Sequence, residues 1–152
     1  MKWFFFNKDF YTQNIKYKTL IKDYSFFSVM EEAIKKEIFY DLSQAISILQ
    51  RKDKNDVDQL RVLSDHGIED VAVHKNLDLI SVTVLIYSLY KIVNSIPEKD
   101  YQIIIKELQN AKGSLEKNQL GKYNGSIKNL FQLVKKCNAK VKVHLQDVMD
   151  AA

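Results

Sequence analysis

Four glycines, one proline, one cysteine and two arginines are all that 152 residues hold of these four types. Ordinary chains carry about 7% glycine and 5% proline, so the turn residues that a many-stranded sandwich or barrel requires are missing, and an all-β architecture is not expected. A single cysteine, Cys137, forms no intramolecular bridge and, with only three histidines in the chain, makes no structural zinc site. This usage fits a reducing compartment rather than a small secreted scaffold. The N-terminus lacks a cationic region followed by a long apolar core, because the run Trp3 to Phe6 is broken by Asn7, Lys8 and Asp9. It therefore does not read as a signal peptide. The most apolar stretch, Leu77 to Ile96, contains Asp78, Ser81, Thr83, Ser88, Lys91, Asn94 and Ser95. That is too much polarity for a lipid-facing span, so a buried core helix in a cytoplasmic protein with no membrane partner is expected.

What is present is apolar and periodic. Apolar residues make up 46% of the chain, and at this length a fold buries roughly two thirds of the unfolded surface without staples. The expected fold class is all-α: a single helical domain over residues 1–152, a bundle of about five or six helices ending in a long heptad-patterned helix. Residues 1–24 are set apart by their aromatics, and the sequence leaves open whether they form helix, strand or arm. The first forty residues hold 12 of the 17 aromatics. Trp3, Phe4, Phe5, Phe6 and Phe10 lead this group and are expected to form core or to bind a protein partner.

Periodicity places the helices. The first is expected over 28–50, with Ser28 and Glu31 as a capping box and an apolar stripe through Met30, Ile34, Ile38, Leu42, Ala45 and Leu49. A second begins after Asn55 or Asp56, with Val57, Leu60, Leu63, Ser64, Ile68 and Val71 inside and Gly67 as a cost or a kink. Asn76 and Asp78 cap a third over Leu79 to Val93. Ser95, Pro97 and Glu98 start a fourth, which is expected to end at Gly113. A short helical piece from Ser114 to about Leu120 follows. The last helix is expected from about Ser126, with Ile127, Leu130, Val134, Cys137, Val141, His144 and Val148 in an alternating three-four spacing. That stripe still runs at Ala152, so the natural chain is expected to continue or the helix end to pack on something else.

Charge is unevenly distributed. Residues 1–76 are neutral, and the whole net +4 comes from residues 77–152. Between Ala111 and Val143 eight lysines face one acid, Glu116. Lys128, Lys135 and Lys142 are seven apart on the last helix and Lys136 and Lys140 mark a second row, so together they form an edge that suits sequence-independent contact with phosphates. Without arginine in this half, base reading is not expected.

His66, Asp70 and His74 recur every four residues, the spacing of a helical metal half-site. The line lies opposite the apolar face of its helix and is expected to face water, where an ion would lack further ligands unless a second chain supplied them. No metal or cofactor is assigned. The run Asp53, Asn55, Asp56, Asp58 is not a calcium loop, since the sixth position from Asp53 is Asp58 and the twelfth is Ser64.

Arg61-Val-Leu-Ser-Asp-His66 resembles the Arg-x4-6-His signature of HEPN-domain ribonucleases, although Val62 stands where that family favours a polar residue. The resemblance implies a small helical bundle that dimerises, with His66 as acid/base and Arg61 stabilising phosphate charge in metal-independent RNA cleavage. The wider segment Leu60 to Val93 resembles uncharacterised archaeal helical proteins, some tied to toxin–antitoxin settings. The favoured expectation is a non-catalytic interaction or regulatory module with a protein partner or a second copy, and nucleic-acid contact through the lysine edge as its sharper form. The HEPN-like ribonuclease is the alternative.

Overall fold

A computed structural model describes residues 30–52 and 54–138. Five α-helices follow one another: α1 (Glu32–Arg51), α2 (Lys54–His74), α3 (Leu77–Ile92), α4 (Glu98–Glu116) and α5 (Leu120–Asn138), with a 3-10 turn at Val93–Ser95 between α3 and α4. No strand occurs among the described residues. The all-α expectation is met, and the five helices fall within the expected number.

α1 buries Ile34, Ile38, Leu42, Ala45, Ile46, Ile48 and Leu49 against α4, α2 and α3. The helix begins after Glu31, which makes no side-chain capping bond, and Ser28, the other half of the expected capping box, lies outside the described residues. α2 starts at Lys54, slightly ahead of the expected start, and packs most closely on α3. The helix runs unbroken through Gly67. A Cβ built there would lie 2.8 Å from Thr83 Oγ1 of α3, so the missing side chain is what lets the two helices close.

α3 is capped by the Asn76 side chain, whose Oδ1 accepts from the N–H groups of Asp78 (2.9 Å) and Leu79 (3.2 Å). Most of its faces are covered, and its buried hydroxyls bond back along the helix: Thr83 Oγ1 donates to Leu79 O and Ser88 Oγ to Val84 O, each at 2.8 Å. Internal satisfaction of this kind is how an apolar helix carries hydroxyls through a core. Leu77–Ser95 is long and apolar enough to cross a membrane, with a mean hydropathy of 1.4, and 67% of that window is buried inside the bundle.

The largest departures from expectation lie in the second half. Ser95 belongs to the 3-10 turn and Pro97 occupies the cap position of α4. α4 does not stop at Gly113 but runs to Glu116, and α5 starts at Leu120 rather than near Ser126. The separate piece expected over 114–120 is therefore the end of one helix and the turn into the next. The turn is made by Asn118 in the left-handed region (φ 56), as Lys52 (φ 55) and Lys75 (φ 49) make the turns after α1 and α2.

α5 packs on α4 and α3 through Tyr123, Ile127, Leu130, Val134 and Cys137, all buried. Cys137 is buried on this stripe, as its spacing predicts. α1 and α4 are tied by Tyr101, whose buried hydroxyl donates to Leu49 O at 2.7 Å. Val141, His144, Val148 and the aromatic segment 1–24 lie outside the described residues.

Candidate functional site

The seam between α1 and α2 brings together Glu37, His66 and Asp70, a converging group of ionisable side chains among the described residues. The two helices are consecutive and antiparallel, so residues near the N-terminal end of α1 meet the second half of α2. His66 Nε2 lies 3.2 Å from Asp70 Oδ2 on its own helix and 3.7 Å from Glu37 Oε2 on α1. One ligand atom from each of Glu37, His66 and Asp70 falls within 4.8 Å of the other two. Ligands on opposite sides of one ion, each about 2.0–2.4 Å away, are separated by up to roughly that distance. His66 and Glu37 are 48% and 38% exposed and Asp70 21%, so the group opens to solvent on one side. Tyr40, one turn along α1 from Glu37, sets its ring edge-on to His66 at 5.9 Å between centroids.

Asp41 closes the inner side. It is fully buried, and neither carboxylate oxygen has a hydrogen-bond partner among the described residues. Burial pushes its carboxyl up to about 8, and the charges acting on it, those of Asp70 and Glu37, are both negative and push the same way. Burial and the neighbouring Asp70 carboxyl also raise Glu37, with His66 pulling the other way. An unpartnered buried carboxyl is an expensive feature for a fold to keep. Nothing in the packing of α1 requires it: Asp41 sits on the stripe of Ile34, Ile38 and Ala45, where an apolar residue would continue the core.

Asp41 and Glu37 are the site residues that sequence reasoning missed. The signal was present, because a carboxylate three residues after Ile38 and four before Ala45 occupies a core position of a helical stripe. Of the line His66, Asp70, His74, expected to face water, His66 and His74 are exposed and Asp70 is half-buried; the side chain that converges on His66 and Asp70 is Glu37 of the same chain, and His74 stays outside the group.

Arg61 and His66 share α2 but take different partners. Arg61 Nη1 approaches Asp65 Oδ2 at 3.5 Å, while His66 faces Glu37 and Asp70. Asp65 is raised by burial against the opposing pull of Arg61. Five residues of helix set the two side chains about 140° apart.

Among the lysines expected on the last helix, Lys128 is half-buried and Lys135 exposed. Lys136 is exposed but reaches back to Asp100 at the start of α4, 3.3 Å away. Lys140, Lys142 and the aromatics Trp3, Phe4, Phe5, Phe6 and Phe10 lie outside the described residues.

No protein-family model, curated protein or solved structure matches the chain.

Proposed function

We propose that this bundle is a divalent-cation-binding protein whose ion sits in the seam between α1 and α2, held by Glu37, His66 and Asp70 with Asp41 behind them. The observation that carries the reading is Asp41, a buried carboxyl with no partner among the described residues, placed one turn from Glu37 in a group whose ligand atoms already converge. A cation would give Asp41, on which only the acidic Asp70 and Glu37 act, the charge compensation it lacks, and would add to what His66 gives the other two. Oxygen ligands with one imidazole suit manganese or zinc better than copper or an iron–sulfur cluster. The half-exposed side leaves coordination positions for water or an anionic ligand, the arrangement that lets a bound ion act as a Lewis acid.

The test is titration of the chelator-stripped protein with Mn2+, followed by loss of the free-ion electron paramagnetic resonance signal, with Zn2+ as competitor. One ion per chain is expected, and Asp70→Asn and His66→Ala should each weaken binding by about tenfold or more. A folded protein that takes up neither ion at millimolar concentration, or variants that bind as tightly as the parent, would overturn the reading.

A further inference from the structure

A second site lies on other elements and owes nothing to the cation. The end of α4 and the start of α5 enclose an open groove of about 530 Å³, lined by four amide side chains, two serines, Lys117, Lys122 and the backbone at Gly113 and Gly125. Among the described residues that line it there is no acid and no aromatic ring. A wall of amide and hydroxyl donors with two ammonium groups and no carboxylate is complementary to oxyanions, above all to phosphate. Without aromatic rings there is nothing on which a base would stack.

The glycines point the same way. Glycine inside a helix costs about 1 kcal/mol relative to alanine, and packing gives no reason for it here, since a Cβ at Gly113 or Gly125 would meet nothing within 4 Å. This is the opposite of Gly67, which Thr83 crowds. In the groove the two glycines leave the helix backbone bare on the side open to solvent, where an incoming group approaches closely. Lys128 and Lys135 lie about 120–140° around α5 from Lys122, on another face of the helix, so the charge in the groove is that of Lys117 and Lys122. An open groove of about 530 Å³ is several times the size of one phosphate and suits an extended chain of them.

We infer that the groove between α4 and α5 binds the phosphodiester backbone of nucleic acid without reading its sequence, through Lys117, Lys122 and the bare backbone at Gly113 and Gly125.

The experiment uses the full chain with a short labelled RNA duplex, followed by fluorescence anisotropy across a salt series, with inorganic phosphate as competitor. Affinity should fall as salt rises, and the paired change Lys117→Gln and Lys122→Gln should flatten the slope of log K against log salt by roughly one per lysine. Gly125→Leu should weaken binding several-fold while thermal stability holds or rises, which separates a blocked groove from a damaged fold. Lys106→Gln, an exposed α4 lysine outside the groove, is the control. Overturning results are no binding at low salt, a folded Gly125→Leu that binds as well as the parent, equal losses from Lys106→Gln and the paired lysine change, or complete displacement by millimolar inorganic phosphate, which would reduce the groove to a small-anion site.

Discussion

Asp41 binds its proton more tightly in the folded chain than in the unfolded one. An ordinary aspartate titrates near 4, and burial lifts this one to about 8. Between those values the folded state holds the extra proton, so the contribution of Asp41 to stability falls as pH rises from about 4 toward 8. Replacement by asparagine keeps the shape and removes the charge. In the metal-free protein, Asp41→Asn should match the parent near pH 4 and exceed it by about 1 kcal/mol or more at pH 8.5, since each tenfold difference in proton affinity between the folded and unfolded chain is worth about 1.4 kcal/mol. Urea unfolding at the two pH values measures the difference. The same variant should lose Mn2+ affinity, so a gain in stability and a loss of binding go together. A carboxylate retained only for structure would show the reverse of the first effect.

At the scale of elements, apolar spacing locates helices well and glycine locates their ends badly. The stripes of α1 and α2 were legible because each helix has a buried face that repeats every three or four residues, whereas α3, covered on most faces, was legible from its length and its lack of turn residues. The boundary between α4 and α5 was not, because Gly113 has the residue type of a helix stop and the stretch from Ser114 to about Leu120 looks like a separate piece. A glycine ends a helix only where the backbone turns left-handed, and here that work falls to Asn118. Gly67 was legible as a cost, but its purpose required the neighbouring helix. A methyl at position 67 would strike Thr83 Oγ1 and Cγ2, at 2.8 and 3.0 Å. Gly67→Ala should therefore destabilise the bundle by about 1–3 kcal/mol despite its better helix propensity. Adding Thr83→Ala should return part of that loss, a coupling that a double-mutant cycle in urea reads directly.

Across the whole molecule, the cation site was half legible. His66 and Asp70 share one helix and their four-residue spacing can be read along the chain, but Glu37 and Asp41 reach them only through the pairing of α1 with α2, which no local pattern reports. Because the proposed ion would bridge both helices, it would bind the folded chain and leave the unfolded one. At a hundredfold excess over its dissociation constant such a ligand adds about 2.7 kcal/mol, a rise in Tm of the order of 10 °C for a chain of this size. Differential scanning calorimetry with Mn2+ and with chelator should show this rise in the parent and its loss in Asp70→Asn. The turns of the bundle bear on how much change the chain tolerates. Lys52 and Lys75 adopt left-handed backbone, where a side chain costs about 1–2 kcal/mol and glycine would cost nothing. Residue type and backbone demand are thus mismatched at two turns, neither of which lines either candidate site. In evolutionary terms the lineage has mutational headroom: a few substitutions at these turns would let it absorb a costly innovation at either site and remain folded.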